Sequence, residues 1–150
     1  MSAEGQIEVT KSFELSPNER LLRKALARSY QPPTLSHEPR LRFHFFSEGR
    51  LYLTDRRLFW ERSWFNVPFL PVQSFEIQLQ DVLGSSVRGS GFAIAFGGGG
   101  LYLAHADAEY RFQIAKQRLW PPALWYSKVE AQQWQSAIDE ARRALARTRD

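Results

Sequence analysis

The sequence predicts a mainly β domain in which about seven short antiparallel strands form a strongly bent sheet closed by one C-terminal α-helix. Three observations predict this fold class. Short segments that alternate apolar and polar residues follow one another through the middle of the chain. Close polar or glycine-rich turns separate many of them, and strands joined in this way pair antiparallel. The last segment, 127–148, instead spaces its apolar residues by three and four, as a helix does.

The beginning of the chain is polar, and we expect residues 1–14 to form a flexible lead-in to a single domain over 15–150. Two structures fit residues 20–30. Ser16, followed by proline and then by Glu19, is typical of a helix start. The alternation around Leu22 and Leu26 equally permits a strand.

A β-hairpin follows a proline-rich loop. Residues 41–46 predict a strand, Glu48 and Gly49 a turn or bulge, and residues 50–54 and 58–64 the two arms of the hairpin. We expect Asp55 to shape the tip by accepting hydrogen bonds from nearby amides. The residues expected to bury one face are Leu51, Leu53, Leu58 and Trp60.

Further short strands are predicted at 74–79, 80–91, 92–96, 101–105 and 110–116, and a glycine-rich tip at 97–100 joins two of them. The C-terminal helix begins with a capping box, Ser127 and Glu130. Its apolar face consists of Ala131, Trp134, Ile138, Ala141 and Leu145. We expect Trp134 to fill the open end of the sheet.

The composition argues against several classes of protein. The chain has no cysteine, which excludes disulfides and thiolate metal sites, and its 3 histidines lack the spacing of metal ligands. The four glycines at 97–100 lead into a strand, whereas a phosphate-binding loop leads into a helix. We therefore expect a non-enzymatic protein with no catalytic residue, metal or cofactor.

The distribution of charged and apolar residues also argues against several classes of protein. The net charge of +4 is spread along the chain, whereas nucleic-acid binders concentrate positive charge on one element or face. No apolar run approaches the ~18–20 residues that span a bilayer. The first residues carry acids and no apolar core, so no signal peptide is expected. We expect an intracellular protein, either cytoplasmic or peripheral to a membrane.

The hairpin carries a family resemblance. Residues 49–60, GRLYLTDRRLFW, resemble the GRAM signature Gly-x-Leu-Tyr-Leu-Thr-x-x-x-Leu-x-Phe, with an aromatic residue shifted at the end. With weaker likeness over 15–148, the chain resembles bacterial PH-like GRAM domains and GRAM domains of the WW-domain-binding-protein type. The resemblance implies a PH-like, partly open barrel and a strand at 20–30. The connection 31–48 and the glycine-rich tip depart from the usual pattern, at a rim where relatives bind ligands.

The resemblance also implies an adaptor that recognises anionic lipid headgroups, phosphoinositides among them, through basic residues at the rim. The arginines that could supply this contact are Arg40, Arg42, Arg56, Arg57 and Arg62. The aromatic residues that could contact a membrane or a partner are Trp64, Phe65, Phe69, Trp120 and Trp125. The alternative is a protein-interaction module, which would use the aromatic loops 64–70 and 119–126 or a strand edge, and which could self-associate.

Overall fold

The computed structural model of the protein describes residues 12–35, 45–62, 74–95, 98–106, 108–116 and 125–150. The elements follow in the order β1 (Leu21–Leu35), β2 (Phe45–Thr54), β3 (Arg57–Arg62), β4 (Ser74–Gln78), β5 (Gly84–Arg88), α1 (Gly91–Ala95), β6 (Gly100–Ala104), β7 (Ala108–Lys116), β8 (Trp125–Tyr126) and α2 (Lys128–Arg147). A turn of 3-10 helix, Leu79–Asp81, connects β4 to β5.

The strands form one antiparallel sheet in the order β4-β3-β2-β1-β7-β6-β5, and the short β8 pairs with β7. The helix α2 packs against the 3-10 turn and against β5, β6 and β7. The predicted fold class is therefore confirmed: the chain is mainly β, with antiparallel strands and one long C-terminal helix. The strand order and the terminal helix agree with the PH-like fold that the resemblance implies.

The ambiguous segment 20–30 belongs to strand β1, which pairs with β2 on one side and with β7 on the other. Its small residues Ala25, Ala27 and Ser29 face the core and are buried. The apparent helix start closes a turn instead, because the Ser16 amide donates to Glu19 Oε1 and the Glu19 amide donates back to the Ser16 carbonyl. Pairing on both edges of β1 thus outweighs the helical propensity of its sequence.

The predictions for two short segments, 92–96 and 48–49, were wrong. The strand expected at 92–96 is instead the short helix α1, whose start is held by Ser90: its hydroxyl accepts from the Ala93 amide at 3.1 Å and its carbonyl from the Ile94 amide at 3.0 Å. The turn or bulge expected at Gly49 is absent, since β2 continues through this residue. Glycine is needed there because a Cβ atom would collide with the Glu61 carbonyl and lie 2.8 Å from the Trp60 ring.

The tip of the β2–β3 hairpin is shaped by Thr54 and not by Asp55. The Thr54 hydroxyl accepts from the amides of Arg56 and Arg57, at 3.2 and 3.0 Å. Asp55 instead exchanges backbone and side-chain hydrogen bonds with the backbone of Arg20, both at 3.0 Å. The hairpin is therefore joined through its tip to the segment that precedes β1.

The core lies between the concave face of the sheet and α2. The expected hairpin residues Leu51, Leu53, Leu58 and Trp60 are buried, and Trp134 and Ile138 of the helix join them. The helix agrees with the prediction to one residue at each end, and Ser127 caps it by accepting from the Glu130 amide. Among the described residues, no helix is long and apolar enough to cross a membrane.

Phe13, within the segment expected to be a flexible lead-in, packs on the outer face of the hairpin. Its ring stacks on Tyr52 with a centroid distance of 4.1 Å, and its amide donates to the Glu61 carboxylate. Residues 1–11 lie outside the described residues, so the prediction for most of this segment stays a prediction.

Candidate functional site

Many of the predicted contact residues lie outside the described parts of the chain. These are Arg40, Arg42, Trp64, Phe65, Phe69 and Trp120. Trp125 opens β8, but its side chain is not among those described. The rim contact expected from the resemblance therefore stays a prediction for these residues.

The other three arginines of the predicted set do not come together. Arg56 and Arg57 lie at the tip of the β2–β3 hairpin, whereas Arg62 ends β3 and lies opposite Gly49. A strand rises about 3.3 Å per residue, so some 17 Å separate the two ends of β3. A single headgroup would not contact both ends.

Arg57 is bound inside the protein. Its guanidinium forms ion pairs with Glu19 at 3.0 Å and Glu76 at 2.6 Å, and it donates to the Glu14 carbonyl at 2.6 Å. The hydrogen bond with Glu19 is the main reason that the pKa of Arg57 is raised. This arginine holds the residues before β1 against the hairpin, while its neighbour Arg56 is exposed.

Glu19 is the buried partner in this cluster, with only 1% of its side chain exposed. Burial by itself would raise the pKa of this carboxyl. Hydrogen bonds from Arg57, the Ser16 amide and the Thr54 hydroxyl outweigh burial, so the pKa of Glu19 is lowered from its usual value. The charged carboxylate is therefore the form that stabilises the fold.

A different surface emerges around α1 and the first turn of α2. We call it the α1–α2 patch; it consists of Phe92 on α1 and of Lys128 and Val129, the first two residues of α2. Phe92 is 77% exposed and Val129 60%, which are large fractions for apolar side chains. A Cβ atom at Gly91, next to Phe92, would lie 4.0 Å from the Cβ of Lys128, so the start of α1 touches the start of α2.

The patch stands on a second, small core. Ile94 of α1 is fully buried against Ala115 of β7 and Tyr126 of β8. Burying Ile94 fixes α1 on the sheet and leaves Phe92, two residues earlier, exposed. The Ser127 amide also donates to the Ile114 carbonyl, which fixes the start of α2 beside β7.

Hydrogen bonds from Tyr126 join this second core to the main sheet. Its hydroxyl lies 2.6 and 2.7 Å from the two oxygens of Glu48, which also pairs with Arg28 at 2.8 Å. The Arg28 guanidinium covers the Tyr126 ring at 4.6 Å from its centroid. Burial, and then the Glu48 carboxylate, raise the pKa of Tyr126. The neutral phenol therefore remains the hydrogen-bond donor at physiological pH.

The sequence held a weak sign of this patch. Ser90 follows a glycine and precedes a short apolar run, a pattern that also fits a helix cap. A run of five apolar residues reads equally well as a strand, so the exposure of Phe92 was not predictable from its alternation.

Histidine and acidic side chains are the residues of this chain that could bind a metal ion. In the described ranges, no three His, Cys, Asp or Glu side chains converge in a way that could hold a metal ion. His105 packs edge-on against Tyr110, with ring centroids 6.2 Å apart.

Comparison with known proteins adds little on function. No protein-family model matches the sequence, and neither does any curated protein. Among solved structures, the chain is similar to an N-terminally truncated linker-DH/PH fragment of p115-RhoGEF, with 12% identity and a TM-score of 0.49. The match covers 85% of this chain and 30% of that one. A similarity this weak carries no argument about ligand or partner.

Proposed function

We propose that this protein is a non-enzymatic PH-like binding module that recognises anionic lipid headgroups at a membrane surface. The observation that carries the proposal is Phe92, an aromatic side chain 77% exposed on a helix that is itself anchored by a buried residue. Lys128, which contacts the start of α1, supplies positive charge. The PH-like strand order and terminal helix support the same class of protein. The resemblance to GRAM domains is most specific in the hairpin motif, and no family model matches the sequence.

The chemistry of the patch fits an interfacial contact. Phenylalanine and valine gain by leaving water, at most about 1.5–3 kcal/mol for a fully buried side chain. A lysine near an anionic leaflet adds about 1 kcal/mol. Together these terms describe weak, reversible binding in the range of roughly 10 μM to 1 mM. A patch of this strength serves an adaptor that binds a membrane together with a second contact.

The second contact that we propose is the predicted rim. Arg40, Arg42 and Arg62, with the aromatic loop 64–70, would add phosphate and interfacial contacts of the same kind. Arg57 is excluded from this set because its guanidinium is bound to Glu19 and Glu76.

Vesicle co-sedimentation tests the proposal. The purified chain is mixed with phosphatidylcholine vesicles, with vesicles that also contain phosphatidylserine, and with vesicles that contain a phosphoinositide, at low and at physiological salt. We expect binding only to the anionic vesicles, and weaker binding as salt rises, because exposed charges are screened. Phe92→Ala and Lys128→Glu should each reduce the bound fraction several-fold.

Matched controls separate the patch from general effects of charge and apolarity. Leu15→Ala removes another exposed apolar side chain, and Arg147→Glu reverses an exposed charge at the far end of α2. Both should bind nearly as the parent protein does. A folded parent protein that sediments with none of the vesicles would overturn the proposal.

A further inference from the structure

A polar cleft lies between α2 and the start of β1, next to the α1–α2 patch. Its volume is about 350 Å³, which is at the small end of the range of ligand pockets, roughly 300–1,000 Å³. Val129 belongs to the patch and also lines the cleft, so the two surfaces are continuous. The polar residues that line the cleft are Arg23, Gln132, Gln133, Ser136 and Glu140.

Arg23 occupies an unusual position for a cation. It lies on the same face of β1 as Ala25 and Ala27, which are buried in the core, and opposite the buried Leu53 of β2. Arg23 itself is half-buried, and within the described ranges its guanidinium forms no ion pair and no side-chain hydrogen bond. A cation partly withdrawn from water without an acceptor loses hydration that a bound anion would replace.

Glu140 supplies the opposite charge on the helix wall of the cleft. It is exposed, and it also forms no ion pair in the part of the chain that the structure describes. The preceding residue, Asp139, is by contrast bound to Ser85 at 2.8 Å and paired with Arg142 at 3.6 Å. Arg23 and Glu140 are the charged residues of the cleft lining, and they do not neutralise each other. A ligand that carries both an anionic and a cationic group would find a partner for each.

We propose that this cleft binds a small group that carries both a phosphate and an ammonium, and that the source of this group is the headgroup of phosphatidylserine. The phosphate would accept hydrogen bonds from the Arg23 guanidinium, and the ammonium would lie beside the Glu140 carboxylate. The side-chain amides of Gln132 and Gln133 offer donors to the carboxylate of the headgroup. The α1–α2 patch favours a lipid as the source, because it would hold the adjoining cleft at the membrane surface. The inference rests on the proposed membrane contact and names the lipid that this contact selects.

The same two charges disfavour a phosphoinositide in this cleft. A phosphoinositide headgroup carries several negative charges and no ammonium, so Glu140 would face a like charge, which opposes binding. Phosphatidylglycerol is anionic but also lacks an ammonium, so it would make the contact with Arg23 and not the contact with Glu140. The cleft therefore predicts selectivity for the chemistry of the headgroup, whereas the patch alone responds to the charge of the surface.

Vesicle binding at matched surface charge tests the inference. The full chain is titrated with phosphatidylcholine vesicles that contain phosphatidylserine, phosphatidylglycerol or a phosphoinositide, each adjusted to the same zeta potential. We expect phosphatidylserine vesicles to bind about two- to fivefold more tightly than phosphatidylglycerol vesicles, the ratio that one partly exposed ion pair supplies. Glu140→Gln should bring this ratio to about one. Arg23→Ala should weaken binding to phosphatidylserine about tenfold, because it removes the donors to the phosphate.

Matched variants separate the cleft from general effects of charge. Asp81→Asn also removes an exposed acid, but outside the cleft, so it should leave the ratio of the two affinities unchanged. Arg147→Ala removes an exposed arginine at the far end of α2 and should bind within about twofold of the parent protein. Circular dichroism and melting curves establish that each variant is folded.

Free O-phosphoserine distinguishes a lipid from a soluble source of the same chemistry. In NMR spectra of the chain, we expect millimolar phosphoserine to shift the amides of Gln132, Gln133 and Ser136, and glycerol phosphate, which has no ammonium, to shift them less. Equal affinity of the parent protein for phosphatidylserine and phosphatidylglycerol would overturn this inference and leave the membrane proposal intact. Shifts with phosphoserine but no binding to any vesicle would overturn the lipid source and assign the cleft to a soluble zwitterion. A folded protein that responds to neither would overturn both proposals.

Discussion

Replacing Glu19 by alanine should destabilise the protein far more than replacing Glu76, although both carboxylates pair with the same arginine. Only 1% of the Glu19 side chain is exposed, against 48% of Glu76. Glu19 accepts from Arg57 and also from the Ser16 amide and the Thr54 hydroxyl, all within 2.9–3.1 Å. Its loss would leave three sets of donors without their acceptor inside the protein.

The expected loss of unfolding free energy for each variant follows from how deeply the replaced carboxylate is buried. Removing one partner of a buried, hydrogen-bonded ion pair costs about 3–5 kcal/mol, whereas an exposed pair contributes about 0–1 kcal/mol. We therefore expect Glu19→Ala to lower the free energy of unfolding by about 3–5 kcal/mol and Glu76→Ala by less than about 1 kcal/mol. For a chain of this length, each kcal/mol corresponds to about 2–4 °C of melting temperature, so the two variants should melt about 4–20 °C apart.

Urea denaturation followed by circular dichroism at pH 7 measures both variants, and melting curves give an independent check. The pH dependence adds a second test. Because the pKa of Glu19 is lowered in the folded state, its contribution is complete above the usual carboxyl pKa of 4.5 and is lost as pH falls through the folded pKa. The difference between parent and Glu19→Ala should therefore shrink below pH 4.5. Equal destabilisation by Glu19→Ala and Glu76→Ala at pH 7 would refute the reasoning.

Four other substitutions test the packing of the fold. Gly49→Ala should lower the free energy of unfolding by more than about 2 kcal/mol, because a Cβ atom there collides with backbone and with an indole ring. At Gly84 a Cβ atom meets nothing within 4 Å. Gly84→Ala should therefore stay within about 1 kcal/mol of the parent protein in the same urea titration. Trp134→Ala should lower the free energy of unfolding by about 3–5 kcal/mol, because it leaves a cavity at the centre of the core. A melting temperature equal to that of the parent protein in calorimetry would contradict this prediction. Tyr126→Phe should cost about 1–3 kcal/mol at pH 7, because the Glu48 carboxylate loses its hydroxyl donor. In a spectrophotometric titration of the parent, Tyr126 should ionise above the usual pKa of 10.0, and its contribution to stability should be lost only above that pH.

The sequence predicted best the elements whose pattern is long and regular. The C-terminal helix was predicted to one residue at each end, because its apolar spacing extends over about four turns and Ser127 caps it. The hairpin strands were also predicted, since Leu51, Leu53 and Trp60 alternate with polar or aromatic residues and are buried. Periodicity over such lengths reports directly on one buried face.

The sequence failed where distant residues decide the structure. Ser16 and Glu19 look like a helix cap, but Glu19 is drawn into a pair with Arg57, 38 residues away. No local pattern carries that information. The segment 92–96 is too short for its period to separate strand from helix, and the burial of Ile94 against Tyr126 decides for the helix. The candidate surface on α1 was missed for the same reason, since it depends on how α2 packs against the sheet.

The most direct test of the membrane proposal is to place a reporter at position 92. The sequence has no cysteine, so Phe92→Cys can be labelled at one site with an environment-sensitive nitrobenzoxadiazole dye, and Leu22→Cys on β1 gives a matched control on a different surface. We expect the emission at position 92 to shift to the blue and brighten with phosphatidylserine vesicles, to be quenched by spin-labelled lipid, and to remain unchanged with phosphatidylcholine alone. The label at position 22 should not respond. Equal responses at the two positions, or none at position 92 with any anionic vesicle, would contradict the account of the α1–α2 patch as a membrane contact.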